Sequence, residues 1–254
     1  MNLQGQAALV TGGASGLGAE TARQLARGGA KVTILDVNVE AGKSLAAEIG
    51  GKAVVCDITD SASVQQALAV ARDAHGPARI LVNCAGIGGA KRLVGKDGSP
   101  MPLEDFSRII NVNLIGTFNV IRLAAAEMVA QEALEDGERG VIISTSSVAA
   151  YDGQIGQAAY SASKGALASL TLPLARDLAQ FGVRVMTIAP GLFLTPLLYK
   201  LPEEVQQSLA ASIPFPKRLG KAEEFASLAA YIVGNLSLNG EVIRLDGALR
   251  LPPR

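Results

Sequence analysis

The sequence has few of the residues that build metal sites and disulfide frameworks. It contains one histidine and two cysteines, Cys56 and Cys84, in 254 residues, and the cysteines show no CxxC spacing. A metal site would lack its usual ligands, so none is expected, and no disulfide framework is indicated. Such sparse cysteine is typical of a protein from a reducing compartment.

An excess of charge of one sign is also missing. The 23 lysines and arginines balance the 23 aspartates and glutamates, and no block of like charge occurs. Binding to a phosphate backbone or to an anionic membrane surface depends on such an excess of basic residues. We therefore expect neither nucleic acid nor a membrane as a partner.

Long hydrophobic runs are absent as well. The longest uncharged apolar-leaning stretches, residues 185–199 and 225–240, are interrupted by glycine, proline or polar residues. They fall short of the roughly 20 residues that a membrane-spanning helix needs. The first residues, MNLQGQAALVTG, show no basic segment of the kind that precedes a cleaved signal. We expect a cytoplasmic protein.

What the sequence does contain is a series of short aliphatic runs separated by alanine-rich helical patterns. This alternation predicts an α/β fold with a parallel sheet covered on both faces. Without a flexible linker or an internal repeat, residues 1–254 are expected to form one domain. The runs cover residues 7–12, 31–36, 52–57, 78–83, 140–147, 183–190 and 241–247.

Two segments depart from this alternation. Residues 88–102 are polar and rich in glycine and proline, which indicates an insertion loop before a long helical segment at about 102–131. Residues 192–216 are too apolar for an ordinary surface loop. They fit a lid over a ligand or a pair of short packed helices, and the sequence favours neither.

A glycine-rich motif, TGGASGLG at residues 11–18, follows the first run and opens a helical pattern. Gly12, Gly16 and Gly18 stand where the backbone must turn tightly and approach a diphosphate at a helix N-terminus. A plain tight turn is the alternative, and the strand-before, helix-after context favours the phosphate site.

Asp36 ends the second run, about 20 residues beyond the glycines, where a carboxylate can accept hydrogen bonds from an adenosine ribose. Its charge would repel a 2′-phosphate, and neighbouring Ser15, Val37 and Asn38 supply no cation. We therefore expect NAD in preference to NADP. A helix N-cap role for Asp36 remains open beside this one.

Two more polar residues, Asp57 and Asn83, close the third and fourth runs. Open α/β sheets bind ligands at the carboxyl ends of their strands, so both are candidate cofactor contacts. Each residue is equally suited to forming a turn.

Tyr160 and Lys164 in YSASK lie one helical turn apart, on one face. The pair fits a packed tyrosine beside a solvated lysine, or an amine that tunes the phenol as an acid and base. Two charges about 4 Å apart interact by about 4 kcal/mol at an effective dielectric near 20, enough to bring a phenol pKa from about 10 towards neutrality. Ser147, at the end of the fifth run, is expected at the same sheet edge, which favours the catalytic interpretation.

Taken together, these residues resemble the short-chain dehydrogenase/reductase family over essentially the full length. The matching motifs are TGxxxGxG at 11–18, NCAG at 83–86, Asn113 within NVN, Ser147 thirteen positions before Tyr160, YxxxK at 160–164, and PG at 190–191. One departure is NCAG, which stands where NNAG is more widespread.

The resemblance implies a Rossmann-type, doubly wound sheet of seven parallel strands with helices on both faces, an NAD cofactor and a homotetramer. It makes Tyr160 the acid and base, Lys164 the ribose ligand, Ser147 the group that orients the substrate, and Asn113 the holder of a relay water. Thr195 would meet the nicotinamide carboxamide. The expected cofactor-binding residues are Gly12, Ser15, Gly16, Leu17, Gly18, Asp36, Asp57, Ile58, Asn83, Ala85, Gly86, Tyr160, Lys164, Pro190, Gly191 and Thr195.

Longer stretches resemble the branch of this family that interconverts (S)-3-hydroxyacyl-CoA and 3-oxoacyl-CoA, which implies an acyl-CoA substrate in fatty acid metabolism. Lys91, Arg92 and Lys96 would then meet the coenzyme A phosphates, while residues 192–198 and Phe215 enclose the acyl chain; a solvated loop is the alternative for the cations. Other candidates are a steroid or secondary-alcohol dehydrogenase, a 3-oxoacyl carrier-protein reductase, and a dinucleotide-binding scaffold without turnover.

Overall fold

The computed structural model describes residues 1–199 and 202–253. Within them, seven parallel strands form one sheet in the order β3-β2-β1-β4-β5-β6-β7. The strands are β1 (Ala7–Thr11), β2 (Lys31–Asp36), β3 (Lys52–Val55), β4 (Ile80–Asn83), β5 (Gly140–Thr145), β6 (Val183–Pro190) and β7 (Val242–Leu245).

Helices connect successive strands. Those in the described residues are α1 (Gly16–Arg27), α2 (Val39–Ile49), α3 (Ser61–His75), α4 (Leu103–Ile110), α5 (Thr117–Val129), α6 (Ala158–Ala179), α7 (Pro196–Tyr199), α8 (Glu203–Ala211) and α9 (Ala222–Gly234). A π-helical turn, Asn111–Gly116, joins α4 to α5, and short 3₁₀ turns lie at Glu135–Gly137 and Val148–Ala150.

The central strands are aliphatic throughout because helices cover both faces of the sheet. Every residue of β1, β4, β5 and β6 is buried. Since successive side chains of a strand point to opposite faces, Leu9 enters one core cluster, with Leu81, and Val10 enters the other, with Phe225. The predicted Rossmann-type, doubly wound sheet is confirmed.

The strand order fixes where a ligand can bind. β1 lies between β2 and β4, with Thr11 in register with Leu35 on one side and with Asn83 on the other. The chain therefore reverses its direction of winding beside β1, and a crevice opens there at the carboxyl ends of the strands.

Strands β3, β5 and β7 each end two residues earlier than the sequence predicted, and β1 ends one residue earlier. β5 stops at Thr145 and β3 at Val55, so Ser147 and Asp57 each lie two residues beyond a strand. The Ser146 N–H still donates to the Ile188 carbonyl, at 2.8 Å. The Ser147 hydroxyl instead accepts from the Ala149 N–H, at 3.1 Å, and so caps the following 3₁₀ turn. A capping side chain competes with continuation of the strand.

The two irregular segments are built differently. The insertion at 88–102 has no helix, and its Lys91 N–H donates to the Gly156 carbonyl at 2.8 Å. The segment at 192–216 contains α7 and α8, as the packed-helix interpretation predicted, with residues 200–201 outside the described part. It rests on a buried cluster of Ile213, Leu219 and Leu249, packed by Leu192, Leu194, Leu198, Leu209, Ala210 and Leu251.

One helical stretch, Leu103–Val129, is long and apolar enough to cross a membrane by length and composition alone. Half of its apolar window is buried inside the protein, and its Asn119 side chain donates to the Ile58 carbonyl at 2.9 Å. Helix α5 packs against α3 and β5. The stretch therefore serves as a core helix here. Arg108 and Arg122 interrupt the stretch, so it does not stand out in the sequence as a long uncharged run.

Candidate active site

The glycine loop has a backbone that larger residues cannot adopt. Gly12 has φ +61°, and a Cβ there would lie 2.6 Å from the Ala85 nitrogen. A Cβ on Gly18 would collide with the Gly12 carbonyl. Gly16, at φ +53°, begins α1, and Ser15 is its extended N-cap without a side-chain capping bond. The free N–H groups of this helix N-terminus fit a diphosphate, as the motif predicted.

Asp36 is fixed above this loop. Its Oδ2 accepts from the Ala14 N–H at 3.0 Å and its Oδ1 from the Asn38 N–H at 2.9 Å. The N-cap of α2 is Asn38, which accepts from the Ala41 N–H, so the N-cap interpretation of Asp36 is wrong. Each oxygen of a carboxylate has two acceptor positions, which leaves one on each for ribose hydroxyls.

The end of β4 forms the other wall of the crevice. Asn83 is buried, and its Nδ2 has no partner among the described residues. The Thr11 hydroxyl accepts from the Ala85 N–H at 3.3 Å and donates to Asn83 Oδ1 at 3.4 Å. This contact holds the two crevice walls together. A Cβ on Gly86 would come within 3.2 Å of Asn113 Oδ1 and 3.5 Å of Lys164 Nζ, so a larger residue would crowd both side chains.

Other expected cofactor contacts have structural partners of their own. The Asp57 carboxylate accepts from the Thr59 N–H at 2.9 Å and hydroxyl at 2.7 Å, so Asp57 does form a turn. Ile58 is buried, and Leu17 lies in the first turn of α1 against the core. Cofactor contacts by these three residues stay predictions.

Three side chains meet where β5 faces α6. The Ser146 hydroxyl donates to the Lys164 carbonyl at 2.7 Å, and Lys164 Nζ donates to the Thr145 carbonyl, also at 2.7 Å. These two bonds fix α6 against the end of β5. They bring Tyr160, one turn earlier, into hydrogen-bond contact with Ser147. Lys164 Nζ lies 5.8 Å from the Tyr160 ring centroid. The predicted convergence of Ser147, Tyr160 and Lys164 is present.

The ionisation of this group differs from the expectation. Burial lowers the pKa of Lys164 to about 8. Burial also raises the pKa of Tyr160 above its usual value, and contact with the Ser147 hydroxyl acts in the opposite direction. In the protein alone, Lys164 does not bring the phenol pKa towards neutrality. The predicted lowering is wrong for this state because the cost of burying a phenolate exceeds the effect of the Ser147 hydrogen bond.

Cys84, which gives the NCAG motif its departure from the family pattern, lies beside the lysine. Burial raises the pKa of its thiol to about 11, and its Sγ accepts from the Thr145 hydroxyl at 3.7 Å. A thiol with this pKa is neutral at physiological pH. Cys84 therefore fills the space as a small apolar side chain and does not neutralise the ammonium.

Asn113 lies in the π-helical turn and is completely buried. Its Oδ1 accepts from the Ile87 N–H at 2.8 Å, and its Nδ2 donates to the Ile87 carbonyl at 2.9 Å and to the Ser163 hydroxyl at 3.1 Å. Both amide hydrogens are thus used to hold the loop after β4 against α6. Its role in holding a relay water stays a prediction.

The remaining expected contacts follow β6. Gly191 donates its N–H to the Leu245 carbonyl at 2.9 Å, and a Cβ on it would lie 2.9 Å from Asp246 Cα. Pro190 is buried as the last residue of β6, and the Thr195 carbonyl accepts from the Leu198 and Tyr199 N–H groups. These residues lie at the same end of the sheet as the glycine loop, and their cofactor contacts stay predictions.

An open groove of about 490 Å³ lies between the insertion and the start of α6. Of the three predicted cations, Lys91 and Arg92 line it and Lys96 does not. Lys91 pairs with Asp105 at 2.5 Å. Phe215 is 81 % exposed, so it does not form part of an enclosed wall here.

Several groups that hold the site residues in place could not be recognised from the sequence. The Thr145 carbonyl that receives Lys164 and the Ala14 N–H that holds Asp36 are main-chain groups, which any residue type provides. Ser146 lay in the fifth aliphatic run and Thr11 in the glycine-rich motif, and neither had an assigned role. No group of three or more histidine, cysteine or acidic residues suited to a metal ion occurs within 1–199 and 202–253.

The site combines a dinucleotide-type crevice with a phenol, a hydroxyl and a buried ammonium at one sheet edge. Its residues fit a nicotinamide cofactor because Gly12 and Gly18 leave the space a diphosphate needs and Asp36 retains acceptor positions. The fold and site define an oxidoreductase that uses a nicotinamide cofactor and acts on a small molecule.

The comparisons with known proteins agree. The family model described as short chain dehydrogenase matches residues 6–206, and the chain belongs to this family. It is 53 % identical to "3-hydroxyacyl-CoA dehydrogenase type-2" of Homo sapiens, covering 99 % of this chain and 98 % of the relative. It is 35 % identical to the "3-oxoacyl-[acyl-carrier-protein] reductase" of Thermotoga maritima, covering 98 % and 99 %. The crystal structure of a 3-hydroxyacyl-CoA dehydrogenase type-2 from Mycobacterium avium has TM-score 0.95 and 46 % identity, covering 98 % of both chains.

Removing the phenol hydroxyl tests the assignment of the acid and base. We expect Tyr160→Phe to lower kcat by at least 100-fold, in the range typical of losing a general acid or base, with cofactor affinity within about twofold of the parent. Steady-state kinetics and cofactor titration measure the two effects. Tyr231→Phe is the matched control, since that side chain is exposed on α9 and its hydroxyl contacts Asn235, outside the catalytic group. Turnover of Tyr160→Phe within tenfold of the parent would contradict the assignment.

Removing the buried ammonium of Lys164 should stabilise the protein even though it lowers activity. Because the folded-state pKa of Lys164, about 8, lies below its usual 10.5, burying the charge costs stability at pH 7. Lys164→Met should therefore stabilise the cofactor-free protein by roughly 1–3 kcal/mol while reducing turnover and cofactor affinity. Urea unfolding measures the change.

The stability gained by Lys164→Met should shrink as the pH rises from 8 towards 10.5, because Lys164 then loses its proton in the folded parent protein. Lys43→Met, whose lysine side chain is 64 % exposed, is the control and should show no such pH dependence. A destabilised Lys164→Met protein would mean that the ammonium's hydrogen bond outweighs its desolvation.

Proposed function

We propose that the protein is an NAD-dependent dehydrogenase that interconverts (S)-3-hydroxyacyl-CoA and 3-oxoacyl-CoA. The observation that carries the reaction type is the convergence of Ser147, Tyr160 and Lys164 beside the glycine-loop crevice. The substrate class is supported by identity of about half of all residues, over nearly the whole chain, to relatives named for that substrate.

The side chains divide the work of an alcohol oxidation. The Ser147 hydroxyl donates to the substrate oxygen and orients it, and the Tyr160 phenolate accepts the hydroxyl proton. Lys164 stabilises that phenolate and donates to ribose hydroxyls, since only one of its three N–H groups is occupied by Thr145. A bound nicotinamide supplies the hydride acceptor. In the reverse direction, Tyr160 returns the proton to the carbonyl oxygen.

NAD is favoured over NADP by the fixed carboxylate of Asp36. Both of its oxygens are held by main-chain N–H groups, so the charge cannot swing away from a 2′-phosphate. Among the salt bridges of the described residues, none includes Asp36. Val37 beside it is 70 % exposed and offers a position for a cation.

Exchanging this charge should change the cofactor preference. Asp36→Ser combined with Val37→Arg is expected to raise the ratio of kcat/KM for NADP to that for NAD by about 100-fold or more, because a repulsion is replaced by a phosphate contact. The Val37→Arg single variant separates the two contributions. A parent enzyme that already prefers NADP would overturn the proposed role of Asp36.

The acyl-CoA assignment has support at the groove beside α6. Arg92 lines it together with Gln157 and Ala158 at the N-terminus of that helix, an arrangement that suits a phosphate. Lys91 contributes less because Asp105 already neutralises it. Of the three cations that the sequence predicted to contact the coenzyme A phosphates, Arg92 is therefore the one we propose as the main contact. The apolar segment 192–198 is proposed to enclose the acyl chain.

Arg92 gives a direct test of this contact. Arg92→Gln should raise the KM for acetoacetyl-CoA about fivefold or more at low salt, and less at high salt, because the contact is an exposed ion pair. The KM for an acetoacetate ester without the nucleotide should not change. Lys96→Gln, in the same loop but outside the groove, is the control. Equal KM changes with both substrates would place the coenzyme elsewhere.

A substrate panel separates the other enzymes that the site permits. A steroid or simple secondary-alcohol dehydrogenase would turn over those alcohols at least as well as the thioester. A 3-oxoacyl carrier-protein reductase would prefer the carrier-protein thioester and NADPH. Failure of the parent to form NADH with any alcohol would leave a dinucleotide-binding scaffold.

The expected assembly and location also stay proposals. Exposed apolar side chains on the helical surfaces, including Ile115, Phe118 and Leu172, are consistent with a homotetramer. Light scattering would then return the mass of four 26.1 kDa chains. A cytoplasmic location and a role in fatty acid metabolism rest on the sequence and on the relatives alone.

A further inference from the structure

Arg244 lies on β7, the edge strand farthest from the glycine loop, and points towards the segment that joins Ser147 to Tyr160. Its guanidinium contacts two carboxylates at once. Nη2 donates to Asp152 Oδ2 at 2.7 Å, and Nε donates to Asp246 Oδ2 at 2.7 Å. The side chains of Arg244 and Asp152 are only 22 % and 20 % exposed, so this ion pair is partly shielded from water.

A ring contact adds to the two ion pairs. The Arg244 Cζ lies 5.0 Å from the centroid of the Tyr151 ring, within the range of a cation–π interaction. Nη2 also donates to the Leu249 carbonyl at 3.0 Å. Tyr151 and Asp152 are consecutive in the sequence. Arg244, 92 positions after Asp152, therefore contacts two adjacent side chains of one turn.

That turn is the one that Ser147 caps. The Ala149 N–H donates to the Ser147 hydroxyl, and the N–H groups of Tyr151 and Asp152 both donate to the Val148 carbonyl, at 2.9 Å. The main chain from Ser147 to Asp152 is therefore a compact hydrogen-bonded unit. A displacement of Asp152 is transmitted to the Ser147 hydroxyl through only a few bonds.

Arg244 also reaches the turn after β6. Asp246, which it holds, lies against Gly191, where a Cβ would come within 2.9 Å of the Asp246 Cα and Cβ. Gly191 donates its N–H to Leu245, the residue between Arg244 and Asp246. One guanidinium thus connects the serine turn with the Gly191 turn.

We propose that Arg244 is a positioning residue, which holds the Ser147 hydroxyl at the Tyr160 phenol by fixing Asp152 and Tyr151. This role rests on the proposed alcohol oxidation but not on the identity of the acyl substrate. The planar guanidinium is required because its fork reaches two carboxylates and a ring face together, whereas a lysine ammonium is a single point charge.

The test compares Arg244→Met and Asp152→Asn with a matched control, Arg250→Met. Arg250 also donates to Asp246, at 3.3 Å, and to the Leu249 carbonyl, at 2.6 Å, but its side chain is 61 % exposed and no contact with Asp152 or Tyr151 is present. Arg244→Lys keeps the charge without the fork. It also provides a milder variant if Arg244→Met fails to fold.

We expect Arg244→Met and Asp152→Asn each to lower kcat about tenfold or more, with cofactor affinity within twofold of the parent and Arg250→Met near the parent. The double variant Arg244→Met/Asp152→Asn should be no slower than the slower single one, because the two changes break one contact. Arg244→Lys should recover only part of kcat.

A purely structural role is distinguished by the pH profile. Because the Ser147 contact lowers the phenol pKa, loosening it should move the apparent pKa for alcohol oxidation upward by about half a unit or more. The phenol pKa of Tyr160, followed by NMR with labelled tyrosine, should move in the same direction without any substrate.

The outcomes separate this proposal from the proposed function. A parent enzyme without turnover would overturn the function, and the NMR titration would still test the position of Ser147. An active parent whose kcat and pH profile survive Arg244→Met, with only a lower melting temperature, would overturn the positioning role. So would an equal loss of kcat in Arg250→Met.

Discussion

The active site is organised around a charge that the fold buries at a cost. Lys164 is only 5 % exposed, and its Nζ donates to the Thr145 carbonyl, leaving two of its three donors for a ligand. Burial removes water from the ammonium and disfavours its charged form, which lowers the pKa of Lys164 to about 8. The rest of the site follows from holding this group: Ser146 fixes the helix that carries it, and Gly86 keeps the space above it open.

The same burial explains why a simple Coulomb argument gave the wrong direction for Tyr160. The sequence places an amine one turn from a phenol, and the attraction between two such charges is large enough to shift a pKa towards neutrality. The loss of hydration opposes this attraction, because it disfavours the phenolate and the ammonium alike. In the protein alone, desolvation dominates both groups. Positive charge or hydrogen-bond donors that arrive with ligands must therefore supply the remaining stabilisation of the phenolate.

Much of the fold was predictable from the sequence because its signals are local and repeated. Aliphatic runs and alanine-rich helices predict the sheet, and the glycines predict the crevice because their backbone requirement is strict. The ends of β3 and β5 were not predictable, since capping by side chains such as Ser147 competes with strand pairing. The sequence left open whether Asp36 caps α2, and the structure places Asn38 at the N-cap while the glycine loop holds Asp36.

Contacts between distant segments carried no sequence signal at all. Lys91 pairs with Asp105, although this lysine was predicted from the sequence to contact coenzyme A phosphates. Arg244 pairs with Asp152, and no sequence motif connects these two residues. Such pairs depend on tertiary geometry, and single charges in loops are usually solvated. The Tyr160–Lys164 motif was recognisable because its spacing lies within one helix, whereas Arg244, which positions Ser147, comes from β7.

The C-terminal residues show how this positioning extends across the cleft. Leu249 is fully buried in the cluster beneath α7 and α8, while the Pro252 and Pro253 carbonyls accept from Gln154 Nε2 and the Ile155 N–H, at 3.0 Å each. One short segment therefore contacts the apolar segment 192–216 and also residues 154–155, which follow the turn from Ser147 to Asp152. Because packed contacts transmit displacement instead of absorbing it, a shift of the helices above the cleft bears on the turn that holds Ser147. Arg244, which donates to the Leu249 carbonyl and to Asp152, lies at the junction of the two.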